Sequence, residues 1–105
     1  MEDLRVTDRL TLAGWELTEQ FSRASGPGGQ NVNKVETAVT LRFEAERSPH
    51  LTPEQKARLR RIAGRRWTRD GAVVLTAGRH RSQARNREEV RARLAELVAR
   101  ALERP

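Results

Sequence analysis

Thr37-Ala38-Val39-Thr40-Leu41-Arg42-Phe43 alternates cleanly, with Val39, Leu41 and Phe43 on one face and Ala38, Thr40 and Arg42 on the other. A period of two with one apolar side describes a strand covered on one face. Upstream, Trp15-Glu16-Leu17-Thr18-Glu19-Gln20-Phe21-Ser22 alternates in the same way except at Glu19, where the inward face is interrupted. It reads as an antiparallel partner strand, with Glu19 at a bulge or at the end of the covered region. Ala13-Gly14 reads as the turn into it, and residues 1–14 carry only weak periodicity.

Downstream, Ser48-Pro49-His50 breaks the pattern and Thr52-Pro53-Glu54-Gln55 announces a helix, with Thr52 as N-cap, Pro53 at the first position and Gln55 closing a capping box. Leu59, Ile62, Ala63 and Trp67 share a helical face, while Arg58, Arg61, Arg65 and Arg69 lie off it. Asp70-Gly71 is a turn, and Ala72-Val73-Val74-Leu75-Thr76 has the β-branched bias of a third strand. Val90, Leu94, Leu97, Val98, Ala101 and Leu102 then predict a long amphipathic helix from about Ser82 to Leu102, capped by Ser82 or Asn86. The order β-β-α-β-α predicts a small α+β domain: one three-stranded sheet, helices packed on one face, and a long glycine-rich loop between the first two strands. Trp15, Phe21, Phe43 and Trp67 read as core rather than as base-stacking platforms, since each sits on an apolar face.

Length and composition bound the function. With 105 residues, 1–105 is expected to be a single domain. A chain this size buries roughly two-thirds of its unfolded surface and has no room for a second domain. It has no cysteine, which excludes disulfides, thiolate metal sites and cysteine nucleophiles. No apolar run approaches the ~18 residues of a membrane span, and the acidic start Met1-Glu2-Asp3 is unlike a signal peptide; a cytoplasmic protein without membrane contact is expected. The net charge is +7. Lys56 to Arg93 holds 13 Lys and Arg against Asp70, Glu88 and Glu89, which points to a polyanion and above all to nucleic acid. Arginine is 19 of the 21 cations, a bias that a GC-rich genome and solvated helix faces would also produce, so the charge points to RNA or DNA without naming a target.

Ser25-Gly26-Pro27-Gly28-Gly29-Gln30-Asn31 cannot be regular structure, and it sits in a connection far longer than the two to five residues a hairpin needs. Adjacent glycines remove the side chains that would hold another surface away. Gly-Gly-Gln alone would be a chance surface loop, but Arg23-Ala24-Ser25-Gly26-Pro27-Gly28-Gly29-Gln30-Asn31-Val32-Asn33-Lys34 is a longer string. Together with Arg81-Ser82-Gln83-Ala84-Arg85-Asn86-Arg87, it closely resembles the GGQ domain of class I peptide chain release factors. It is most similar to the short ribosome-rescue peptidyl-tRNA hydrolases of the ArfB/YaeJ type, from about Trp15 to Leu102.

The resemblance implies that Gly28, Gly29 and Gln30 enter the peptidyl transferase centre of the large ribosomal subunit. Gln30 would position a water on the peptidyl-tRNA ester. An amide is a poor base, so it can orient water, exclude other nucleophiles and offer its backbone N–H to developing charge, but not take a proton. Arg23, Ser25, Lys34, Arg81, Arg85 and Arg87 would meet rRNA or tRNA; no cofactor or metal is expected, and the chain would act as a monomer on the ribosome and its peptidyl-tRNA. His50 reads as a solvated loop residue and His80 as an RNA contact or surface residue. The resemblance also implies a basic extension after the last helix, whereas this sequence stops at Glu103-Arg104-Pro105. That leaves the catalytic loop intact but puts ribosome selection in question. The expectation is stop-codon-independent hydrolysis of peptidyl-tRNA on stalled ribosomes. The alternative is a non-catalytic basic RNA-binding or ribosome-associated module, and a hydrolase of free peptidyl-tRNA is a third reading, disfavoured because no internal base or nucleophile is in sight.

Overall fold

The computed structural model describes residues 1–23 and 36–104. Strands β1 (Leu4–Thr7) and β2 (Leu10–Leu12) lead into a 3-10 turn at Gly14–Glu16. Strands β3 (Leu17–Ser22) and β4 (Ala38–Phe43), helix α1 (Pro53–Ala63), a second 3-10 turn at Gly64–Arg66, strand β5 (Val73–Ala77) and helix α2 (Gln83–Leu102) follow. Strands β3, β4 and β5 form an antiparallel sheet in that order, so the alternating stretch that opened the sequence is the central strand. Val39, Leu41 and Phe43 are completely buried, packed in one core with Leu59 of α1 and with Val90, Leu94 and Val98 of α2. The expected α+β class and its three-stranded sheet with two helices are what the structure has. No helix among the described residues is long and apolar enough to cross a membrane.

The sheet's other face is wet and polar. Thr40 and Thr76 share a hydroxyl hydrogen bond of 2.9 Å across β4 and β5. Arg42 meets both Glu44 and Asp70 at 2.6 Å. The Thr68 hydroxyl, and after it the Arg42 guanidinium, hold the Asp70 carboxyl below its ordinary value.

Helix α1 starts as its sequence requires: Gln55 N donates to the Thr52 hydroxyl at 3.2 Å, and Thr52 N donates to Gln55 Oε1 at 2.9 Å. It stops at Gly64, whose φ of +57° leaves the helical region. Trp67 therefore lies beyond the helix, bridged to Val73 and half-buried against the core, not on the helical face that its spacing suggested. Of the two candidate caps for α2, Ser82 is the one used: its side chain accepts from Arg85 N at 3.2 Å.

Four sequence expectations need correction. Residues 1–14 contain the antiparallel β1–β2 hairpin, which was too short and too irregular to show a period. Trp15 is 64% exposed and Glu16 is completely buried, because the 3-10 turn rotates the chain just before β3 begins. Phe21 is 41% exposed, near the open end of an edge strand. Glu19 makes no bulge, since β3 and β4 pair in unbroken register from Leu17–Phe43 to Ser22–Ala38; it stands instead at the end of the covered region, the other expectation, with Gln20, Phe21 and Ser22 exposed beyond it.

The buried Glu16 carboxylate is fully engaged. It accepts from Ala13 N at 2.6 Å and from the Ser48 hydroxyl, and His50 Nδ1 lies 2.8 Å away. His50 is an exposed loop residue, as expected, and its ring also leans on this buried carboxylate.

The Asp70-Gly71 turn is present, and Gly71 is required there. Its φ is +88°, and a Cβ at this position would lie 2.5 Å from the Glu46 Cβ. Gly71→Ala is expected to lower unfolding free energy by roughly 1–3 kcal/mol, from the strained backbone and the clash; urea denaturation followed by circular dichroism measures it.

Candidate functional site

Gly28, Gly29 and Gln30, with Ser25 and Lys34, lie outside the described residues, but the frame that holds both ends of their segment is well defined. Ser22 pairs with Ala38 as the last rung between β3 and β4, so the chain leaves and returns at one place. Arg23 is exposed at the exit, and Thr37 is buried at the return.

The start of α2 closes over that return. Asn86, completely buried, donates from Nδ2 to the carbonyls of Thr37 at 2.8 Å and His80 at 2.9 Å, while its Oδ1 accepts from His80 N at 3.0 Å. One amide thereby joins the chain just before strand β4, the β5–α2 connection and the helix. The task needs a side chain that donates twice and accepts once, which only Asn or Gln can do. Gln83, one turn earlier, adds a bond from Nε2 to the Glu36 carbonyl at 2.7 Å.

A second polar joint seats the same helix on β3. Glu19 points inward and receives Arg87 Nε at 2.9 Å and Arg91 Nη1 at 3.1 Å. Arg91, only 7% exposed, also donates from Nη2 to the carbonyls of Glu2 at 2.9 Å and Asp3 at 2.8 Å. Its guanidinium therefore ties the N-terminal residues, the edge strand and the helix together. The hydrogen bond to Glu19 raises the Arg87 guanidinium above its already high ordinary value, outweighing burial.

The predicted RNA-facing residues separate accordingly. Arg81 and Arg85 are exposed, and among the described residues neither has a carboxylate within 4.0 Å. They stand at the α2 N-terminus, whose free N–H groups favour an anion, at the end of the protein where Arg23 leaves β3. Arg87 is committed to Glu19 and lies 3.5 Å from Glu2. His80 is half-buried, its Nε2 3.8 Å from Glu89, which also binds Arg79 at 2.8 Å.

Asn86 and Glu19 are the residues whose roles the sequence reading missed, and both left a trace. Asn86 continues the Val90–Leu94 spacing backwards, a polar residue on a buried stripe, and Glu19 interrupts an apolar strand face. Among the described residues no group of three or more His, Cys, Asp or Glu could hold a metal ion. What this frame does chemically is positioning.

The RF-1 domain family model matches residues 5–104. The chain belongs to the RF-1 domain family. Among curated proteins it is 41% identical over 95 residues to the peptidyl-tRNA hydrolase ArfB of Pseudomonas putida, an alignment covering 90% of this chain and 69% of that protein. It is 30% identical over 89 residues to the large ribosomal subunit protein mL62 of Mus musculus, covering 85% of this chain and 43% of that protein. In this RF-1 domain the two polar joints of α2 are the parts that face the Ser25–Lys34 string's attachment points.

Replacing either joint should be costly out of proportion to the atoms changed. Asn86→Asp turns a buried double donor into an acceptor facing two carbonyls and should cost about 2–4 kcal/mol. Glu19→Ala leaves Arg91 buried without its carboxylate and should cost about 3–5 kcal/mol. Urea unfolding checks both, and a change within 0.5 kcal/mol at either position would show the joint to be incidental.

Proposed function

We propose that this chain is a peptidyl-tRNA hydrolase acting on the ribosome, with Gly28, Gly29 and Gln30 as the group presented to the ester. The observation that carries the reading is the 41% identity with a peptidyl-tRNA hydrolase over 90% of this chain, in a sequence that holds the whole Ser25–Lys34 string. The described frame supports it: Ser22 and Ala38 hold the two ends of the segment together, and Asn86 and Gln83 anchor its return.

In this reading Gln30 orders one water against the ester carbonyl, and its backbone N–H receives part of the charge that develops on oxygen. Positioning supplies the rate, because a carboxamide cannot act as a general base near neutrality. Arg23, Ser25, Lys34, Arg81 and Arg85 bind rRNA or tRNA phosphates near the loop, and Arg87 positions the helix through Glu19. The protein works as one cytoplasmic catalytic domain, as a monomer, on stalled ribosomes and without reading a stop codon. A second reading, a ribosome-associated module without chemistry, is favoured by the name of the mouse relative, a large ribosomal subunit protein.

Gln30→Ala separates the two. Peptide release from ribosomes that carry peptidyl-tRNA but lack message should fall at least 100-fold, while the dissociation constant for those ribosomes stays within about threefold, since one neutral side chain carries little binding energy. Release that survives the substitution rules out the Gln30 mechanism. No release by the unaltered chain favours the non-catalytic module. Ribosome binding should also weaken with salt, by a log–log slope of about −0.7 to −0.9 for each phosphate neutralised.

A further inference from the structure

The structure sorts the arginines of the described residues into two populations. Arg42, Arg79, Arg87 and Arg91 each pair with a carboxylate of the fold, and Arg93 donates to the Thr76 carbonyl at 3.2 Å. The region from Pro53 to Arg66 has six cations and a single carboxylate, Glu54. Arg60, Arg61, Arg65 and Arg66 there are exposed, and among the described residues none has a carboxylate within 4.0 Å.

Part of this second population converges. Arg58 and Arg61 of α1 meet Arg100 and Arg104, from the last turn of α2 and just beyond it, around a surface groove of about 290 Å³; Ile62 supplies an apolar lining and Glu103 the one carboxylate. Arg58 is held in place, its Nε donating to the Ala101 carbonyl at 2.8 Å. That bond answers a free carbonyl at the end of α2, but it accounts for one guanidinium of four. The negative end of the helix is worth about half a charge, and Glu103 one more. Roughly two and a half positive charges remain unpaired by the lining residues around one groove; water and salt screen their mutual repulsion in part, and a bound anion relieves it further.

We propose that this groove is a second RNA-binding surface, taking the phosphodiester backbone of a ribosomal RNA strand. It lies about 25 Å along α2 from the end that anchors the Ser25–Lys34 segment, given 1.5 Å of rise per residue from Gln83 to Arg100. Guanidinium forks suit successive phosphates, each able to take two parallel N–H bonds, and arginine stacks on the apolar lining where lysine would stay hydrated. Two contacts at opposite ends of one rigid helix fix its direction as well as its affinity, which is what delivering a loop to a single ester demands. The inference rests on the ribosome-acting reading above.

The test pairs Arg61→Glu with Arg100→Glu, and uses Arg9→Glu with Arg47→Glu, also exposed, as a reference of equal charge change. Dissociation constants are measured by co-sedimentation with purified ribosomes and by titration of protein-stripped large-subunit rRNA, across 50–200 mM salt. Peptide release is followed at saturating protein, and thermal melting confirms that both variants fold. The groove variant should bind both targets at least tenfold more weakly and lose about 1.4 to 1.8 units of log–log salt slope, as for two phosphates. Its release at saturating protein should fall as well, because the helix loses one of the two contacts that fix its direction. The reference pair should shift binding less than threefold. Equal weakening by the two pairs overturns the proposal, since bulk charge then suffices. A groove effect on intact ribosomes that vanishes on stripped rRNA also overturns it, placing an acidic protein face there. If the unaltered chain releases no peptide yet binds RNA through the groove, the hydrolase reading fails and the groove stands.

Discussion

A buried polar group must find its partners inside the protein, and at the start of α2 that requirement organises the surrounding structure. Asn86 is completely buried with three hydrogen bonds, two to His80 in the β5–α2 connection and one to Thr37 just before β4. Apolar contact alone would let the helix slide or rotate over the sheet at little cost, because such contact is non-directional. The amide and the Glu19–Arg91 pair allow one seating only, since each partner lost leaves a desolvated group unpaired. Further along, where Val90, Leu94 and Val98 meet β4, ordinary core packing takes over.

This division within one helix puts its tightest seating beside the point where the Ser25–Lys34 segment attaches. The frame has a sheet with one apolar face, a helix bound tightly at the end where the Ser25–Lys34 segment attaches, and no cluster of metal-binding side chains among the described residues. Pinning the attachment points at Ser22–Ala38 and at Asn86–Thr37 limits how the segment can be aimed.

Charge is divided by the same logic. Arginines beside the core are paired and serve the fold, which removes them from the positive surface that a simple count suggests. Arg87 and Arg91 illustrate this: both lie inside the strongly basic block of the sequence, yet both face Glu19. The net charge of +7 is therefore displayed unevenly, with Arg81 and Arg85 at one end of α2 and Arg58, Arg61, Arg100 and Arg104 at the other.

The alternation of Thr37 to Phe43, the capping box at Thr52, the Asp70-Gly71 turn and the apolar repeat of α2 were legible without coordinates, because each depends on neighbours within a few residues. The string from Ser25 to Lys34 was equally legible as a family signature. What no local pattern held was pairing across long separations: Glu19 with Arg87 and Arg91, Asn86 with Thr37, and Glu16 with Ser48 and His50. Trp15 and Phe21 were misjudged for a related reason, since periodicity tells which side a residue takes but not whether the fold covers that side at that position. Local chemistry settles which element forms; burial and the partners of buried polar groups exist only once distant segments meet.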